Sequence, residues 1–435
     1  MNSTVSSMIP WASSPLPSNW DVRRNMGLFD QVVNRGDEGD LLAVTIEHGV
    51  LRQSELAALT DRKLTASEDR GNYKIVEPGD LVYNKMRMWQ GAIGMAPCRG
   101  IVSPAYIVLR AKRGVDSRFF LHQYRSVGFV AESRRWSYGI CDDMNSLRYE
   151  DFKTMYSLVP PLEEQQAIAS FLDRETSRID SIIQLKQRQI ELLEEKRVAL
   201  ITQAVTKGLD PNVKMKDSGV EWLGDIPEHW EVAPLYSRYR VDLGKMLDTK
   251  RIGQSNLHPY LRNADVQWGA INTKDLPMMS FAPTEWERYL LHPGDLLVCE
   301  GGELGESAVW QGAVSPCFYQ KALHRLRPLD TGRDIAQFFY HVLYAGAHIG
   351  VFTAGASVST IGHLTAEKLR IHRFPFPPVE EQHAIGQVLE KHGERIDRTL
   401  SLVGQSIELL HEYRSSLINA AVTGQIDVRG EVATS

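Results

Sequence analysis

"PPLEEQQAIASFLDRETSRID" (Pro160–Asp180) and "PPVEEQHAIGQVLEKHGERID" (Pro377–Asp397) are near-copies 217 residues apart. Continued to Asp210 and Asp427, the two segments share 24 identities in 51 positions without a gap. Weaker echoes lie upstream. "LPSNWDV" (Leu16–Val22) matches "IPEHWEV" (Ile226–Val232), "VEPGDLV" (Val76–Val82) matches "LHPGDLL" (Leu291–Leu297), and "VSPAY" (Val102–Tyr106) matches "VSPCF" (Val314–Phe318). The chain therefore reads as two tandem copies of a unit of about 210 residues, each with a diverged front and a well-preserved back.

The backs read as helices. Two prolines open each, and acids follow in the first turn, where they complement the helix dipole. Seam positions then recur at alternating steps of four and three. They are Ile179, Ile183, Lys186, Ile190, Leu193, Arg197, Leu200 and Ala204 in the first copy. In the second they are Ile396, Leu400, Val403, Ile407, Leu410, Arg414, Leu417 and Ala421. This is an a/d heptad pattern. Neither stripe is compatible with water, so the two helices are expected to pack on each other. The fronts differ. Short apolar runs ("DLVYNKM", "AYIVLRA", "DLLVCEG", "ALHRLRP") are broken by Gly, Pro, Asn and Asp, with helical stretches at Ser117–Ser126 and Asp334–Gly346. The expected fold class is α+β. The expected divisions are 1–159, a helical segment at 160–206, a linker and second globule at 207–376, a second helical segment at 377–427, and a tail at 428–435.

Composition excludes more than it identifies. The 435 residues exceed one ordinary core. Apolar residues make up 43% and charged residues 24%, a normal globular balance. No apolar run reaches the length of a membrane span, and the N-terminus lacks the basic start of a signal peptide. Four cysteines without a CxxC pair argue against structural zinc and disulfides, so a reducing cytoplasm is expected. The net charge of −5 does not advertise nucleic-acid binding, and acid concentrates in the duplicated segments: residues 377–435 carry five basic and nine acidic side chains. Any DNA binding then depends on local patches and on a partner that supplies phosphate neutralisation.

Catalytic motifs are missing. There is no P-loop, no G-x-S-x-G, no H-E-x-x-H, and no Asn/Asp-Pro-Pro-Tyr/Phe loop of amino-methyltransferases. "GGELG" (Gly301–Gly305) reads as a glycine-rich hairpin, not a phosphate loop.

The duplicated "PPLEEQQAIASFLD…RID", "IELLEEKRVALITQAVTKGLD" and its copy "IELLHEYRSSLINAAVTGQID", with "GVEWLGDIPEHWEV" (Gly219–Val232), resemble the specificity subunit of Type I restriction-modification enzymes. The resemblance covers Leu16 to Asp427. It implies that each front is a target recognition domain reading one half of a bipartite double-stranded DNA site. It also implies that the helices form an antiparallel coiled coil that sets the spacer and docks two methyltransferase subunits. Those partners would carry the S-adenosylmethionine chemistry, and separate restriction or motor subunits the ATP- and Mg²⁺-dependent work. The chain itself would hold no cofactor or metal and catalyse nothing. A coiled-coil scaffold that never touches DNA is the competing reading; it leaves the two diverged globules unexplained.

Base reading requires donors and acceptors that reach groove edges. In the first copy, "YNKMRMWQG" offers Asn84, Lys85, Arg87, Trp89 and Gln90, and "ESRRWSYGICDDMNSL" offers Arg134, Arg135, Trp136, Tyr138 and Asn145. The matching stretches of the second copy offer Glu303, Ser357, Ser359, Thr360 and His363. Gln165 and Gln382, preserved between the copies, are candidates for a partner-facing surface. Arg197 and Arg414 interrupt the two seams at equivalent places. Snorkelling with dipole compensation accounts for them, and so does contact with DNA phosphate or the methyltransferase.

Overall fold

The computed structural model describes residues 9–12, 16–59, 71–139, 145–246, 256–352 and 364–428. The chain divides into two compact units, Met1–Lys186 with Gly404–Ser435, and Gln187–Val403.

The first unit contains β1 (Asp21–Arg24), β2 (Phe29–Val32), β3 (Leu81–Asn84), β4 (Ile93–Met95), β5 (Tyr106–Ala111) and β6 (Tyr156–Val159). An antiparallel sheet runs β2-β5-β3-β4, while β1 pairs antiparallel with β6 and ties the start of the globule to its end. A second four-stranded sheet is built from Asp40–Thr45, Gly49–Arg52, Lys74–Val76 and Gly100–Val102. Two short helices follow β5. Helix α1 (Ser117–Arg125) is N-capped by the Asp116 carboxylate, and α2 (Val127–Arg135) by the Ser126 hydroxyl. Phe119, Phe120 and Tyr124 of α1 enter the core with Phe29, Phe129 and Phe152.

The long helix α3 (Leu162–Lys207) leaves this globule. The second unit repeats the plan with β7 (Glu231–Pro234), β8 (Tyr239–Leu243), β9 (Leu296–Cys299), β10 (Ser307–Val309), β11 (Leu323–Pro328) and β12 (Arg373–Phe376). Its main sheet runs β8-β11-β9-β10, and β7 pairs antiparallel with β12. Helix α4 (Ala336–His348) corresponds to α1, and α5 (Val379–Val422) is the second long helix. The linker expected at the start of 207–376 contains a small antiparallel hairpin of Met215–Asp217 and Asp225–Pro227.

Local chemistry explains why the echoes persist. In both Pro-Gly-Asp-Leu turns the glycine is left-handed, with φ of 89° at Gly79 and 93° at Gly294. The following aspartate is buried. Asp80 takes a forked pair of hydrogen bonds from Arg110 (2.9 and 2.7 Å) and another from the Glu77 backbone N–H. Asp295 does the same with Arg327 (2.6 and 2.7 Å) and the His292 backbone. Each turn is thereby latched to the neighbouring strand, β5 or β11. "GGELG" is the β9–β10 hairpin, as its glycines require.

Each unit also holds parts of both long helices. In the first, Ile168, Ala169 and Leu172 of α3 share a core with Ile418, Ala421 and Val422 of α5. In the second, Ile201, Ala204 and Val205 of α3 share one with Ile385 and Leu389 of α5. Within each unit, early residues of one helix therefore meet late residues of the other, which is antiparallel packing. All sixteen seam positions are buried or half-buried. The fold class is α+β, with two tandem globules and an antiparallel helix pair. Among the described residues, no helix is long and apolar enough to cross a membrane, and no group of three or more His, Cys, Asp or Glu side chains is placed to hold a metal ion.

Candidate nucleic-acid interface

In the first unit, the sequence-predicted residues converge on one rim. The β3–β4 connection turns on a short 3₁₀ segment, Met88–Gln90, with Met88 fully buried as its anchor. The turn is closed internally. Asn84 Oδ1 accepts from the Met86 N–H (3.0 Å), the Trp89 indole donates to the Met86 carbonyl (3.0 Å), and Arg87 Nη1 donates to Gln90 Oε1 (3.3 Å). The end of α2 packs here, placing the Arg134 guanidinium over the Trp89 ring at 5.5 Å. Arg135 and Trp136 both donate to Glu132 (3.0 and 2.8 Å), and Tyr138 donates to Asp151 (2.9 Å). The Leu147 N–H donates to the Lys85 carbonyl (2.9 Å), so the segment after half-buried Asn145 returns to the β3 end, the same rim. Arg87, Arg134, Arg135, Trp136 and Tyr138 are exposed there.

Sequence reasoning missed the floor of this rim. A cleft of about 500 Å³ is lined by Trp89, Gln90, His122, Arg125, Arg134 and Arg414. Arg125 donates to the backbone carbonyls of Ile46 and Glu47 (2.7 and 2.8 Å). Burial, with Arg414 close by, holds its guanidinium pKa below the usual arginine value. Three guanidiniums beside an indole form a surface suited to phosphate and stacked bases. The available signal was the second arginine of the helical stretch "SRFFLHQYRS", at its C-terminal end. Arg148 was also missed; its guanidinium lies over the Tyr138 ring at 5.2 Å.

The second unit is less complete. Glu303 is exposed at the β9–β10 turn; burial, and secondarily the Glu303 charge, raises the Glu306 pKa. A carboxylate there repels phosphate but accepts from a cytosine amino group. Ser357, Ser359, Thr360 and His363 lie outside the described residues.

Two partner-surface expectations are corrected. Gln165 and Gln382 are each only 1% exposed. The Gln165 amide accepts from the Asp116 N–H and donates to the Gly114 and Pro160 carbonyls. Gln382 repeats the set with Ile335, Arg333 and Pro377. Their preservation reflects these backbone bonds, which pin each long helix to its globule. The adjacent acids act similarly: Glu164 accepts from the Trp20 indole (3.0 Å) and Glu381 from the Trp230 indole (2.7 Å). Arg197 and Arg414 are engaged across the helix pair, with Asp397 and Asp180 respectively.

Two α+β globules are each fastened to an antiparallel pair of helix segments, and one bears a cationic aromatic rim suited to a nucleic acid. Residues 227–402 match the family model Methylase_S, described as the Type I restriction modification DNA specificity domain. The Type I restriction enzyme MjaVIII specificity subunit of Methanocaldococcus jannaschii is 23% identical over 348 residues, covering 76% of this chain and 75% of that one. The MjaX chain of the same organism, also named as a specificity subunit, is 23% identical over 289 residues, covering 66% of this chain and 63% of its own length. A chain from a structure on complex assembly and conformational transition of the type I R-M system superposes with a TM-score of 0.74 at 17% identity, covering 95% of this chain and all of that one. The chain is thus similar, over most of its length, to the specificity subunits of Type I restriction-modification enzymes.

Proposed function

We propose that this chain is the DNA-reading subunit of a Type I restriction-modification complex, with each globule reading one half of a bipartite site. The observation that carries this is the duplication itself: two globules of one topology, fastened to their helices by the same bonds, differ in the loops that would meet DNA. Identical fastening with divergent rims suits two unlike half-sites held at a set distance. In the first unit, Arg87, Arg134 and Gln90 supply groove-edge donors, while Arg125 and Arg134 supply phosphate contacts.

Partner assembly follows from the same reading. Two methyltransferase subunits dock on the helix pair, one for each copy, and restriction or motor subunits join through them. This chain performs no catalysis and holds no cofactor. S-adenosylmethionine, ATP and Mg²⁺ belong to the partners, and the complex works in the cytoplasm. The test is co-expression with the cognate methyltransferase subunit and mapping of methylated adenines. One bipartite motif with a fixed gap is expected; methylation without a motif, or no methylation from an intact complex, refutes the proposal.

A further inference from the structure

The two copies solve one local problem differently. The equivalent backbone bonds of Gln165 and Gln382 align Asp116 with Ile335, and hence Arg118 with Gln337 and His122 with His341. The ungapped repeat aligns Asp173 with Glu390. In the first copy these residues form a closed cluster. The His122 imidazole lies 2.8 Å from Asp173 Oδ1, and the Arg118 guanidinium lies 3.4 Å from Asp173 Oδ2. Together they hold the Asp173 carboxyl below the usual carboxylate range, His122 contributing most.

In the second copy the cluster is open. Gln337 replaces the arginine, so the carboxylate has lost its internal cation. His341 is 6% exposed, yet neither ring nitrogen has a hydrogen-bond partner. Burial lowers its pKa to about 4, so at neutral pH it is uncharged and offers one acceptor and one donor. Leaving such a group unsatisfied is costly, so the site favours an occupant that pairs with it. Gln337, His341 and Glu390 line one cavity of about 280 Å³, walled by Tyr340 and Tyr344. The remaining arginine there, Arg197, is already paired with Asp397. Glu390 has no ion pair among the described residues.

We propose that this cavity binds an organic cation of the guanidinium or primary-ammonium class, supplied from outside the chain and seated between Glu390 and His341. It takes the place that Arg118 fills in the first copy. The carboxylate provides the charge, the neutral imidazole accepts an N–H, and the tyrosine rings favour a cation over a neutral guest. A water molecule would satisfy His341 but would not replace the missing charge.

The test is calorimetric titration of the full-length chain with agmatine at neutral pH. Saturable 1:1 binding is expected. Gln337→Arg, which imports the first copy's own guanidinium, should abolish it and leave the fold intact by circular dichroism. Glu390→Gln should weaken binding at least tenfold, and Asp173→Asn should leave it unchanged. Absence of saturable binding, or binding indifferent to Gln337→Arg, overturns the proposal. Repeating the titration with the methyltransferase subunit bound separates the sources. If the partner blocks agmatine, the cation is one of its side chains; if agmatine still binds, it is a free amine.

Discussion

Arg414 Nε lies 3.1 Å from Asp180 Oδ1, joining the two long helices within the first unit. Arg197 pairs with Asp397 in the second unit. In the repeat, Arg197 is the counterpart of Arg414 and Asp180 that of Asp397, so one contact is made twice with the copies exchanged. An arginine in an apolar seam is tolerated because its partner is provided by the opposite helix. The pairs also oppose sliding: a shift of one heptad would move each guanidinium about 10 Å from its carboxylate.

Each pair is partly exposed, so its contribution to stability is small, about 0.2–1 kcal/mol. Its effect should be on register. Arg414→Asp alone sets like charges together and should lower the unfolding midpoint. Adding Asp180→Arg should restore most of the loss. A double-mutant cycle in urea reads the coupling; additive losses would mean that the pair does not act as one.

Gln165→Leu removes an amide that serves three backbone groups in a buried place. The expected cost is about 3 kcal/mol, because each orphaned group carries its own desolvation penalty. Denaturant unfolding measures it. Binding of the methyltransferase per folded molecule should not change, since this side chain does not reach the surface.

Acid should weaken the second unit. Burial lowers the pKa of His341 to about 4 and also lowers that of His324. A histidine whose folded pKa lies below its unfolded value of about 6.5 contributes fully above that pH and loses its contribution as the pH falls. The cavity beside His341 is also lined by Glu390, His392, Glu394, Tyr340, Tyr344 and the Arg197–Asp397 pair. Unfolding followed between pH 7 and pH 5 should show falling stability, and His341→Phe should flatten the slope.

The rim of the first unit should carry sequence discrimination. Arg87→Ala combined with Arg134→Ala should cost about 1–3 kcal/mol per lost base contact at the half-site it reads. Arg125→Ala should weaken all sequences alike and reduce the salt dependence. Binding measured at two salt concentrations with cognate and scrambled half-sites separates these outcomes.

Much of the architecture was legible because it was written twice. Period and spacing placed the long helices, and the echoed Pro-Gly-Asp-Leu and Trp-containing segments marked equivalent turns. What the pattern could not convey was direction. Gln165 and Gln382 resembled surface residues preserved for a partner, whereas both point inward to backbone groups that only the folded globule brings near. Arg125 escaped notice for the converse reason: its neighbours Trp89, Arg134 and Arg414 come from three other places in the chain. The His341 cavity was invisible because it is defined by what Gln337 no longer supplies.

The measurement that tests the central claim most directly is methylome mapping after a domain exchange. The complex is expressed with residues 1–159 replaced by the corresponding front of a similar specificity subunit, and methylated adenines are mapped in the host DNA. The account predicts that one half of the bipartite motif changes while the other half and the gap stay the same. A motif that survives the exchange unchanged, or one in which both halves change together, would contradict it.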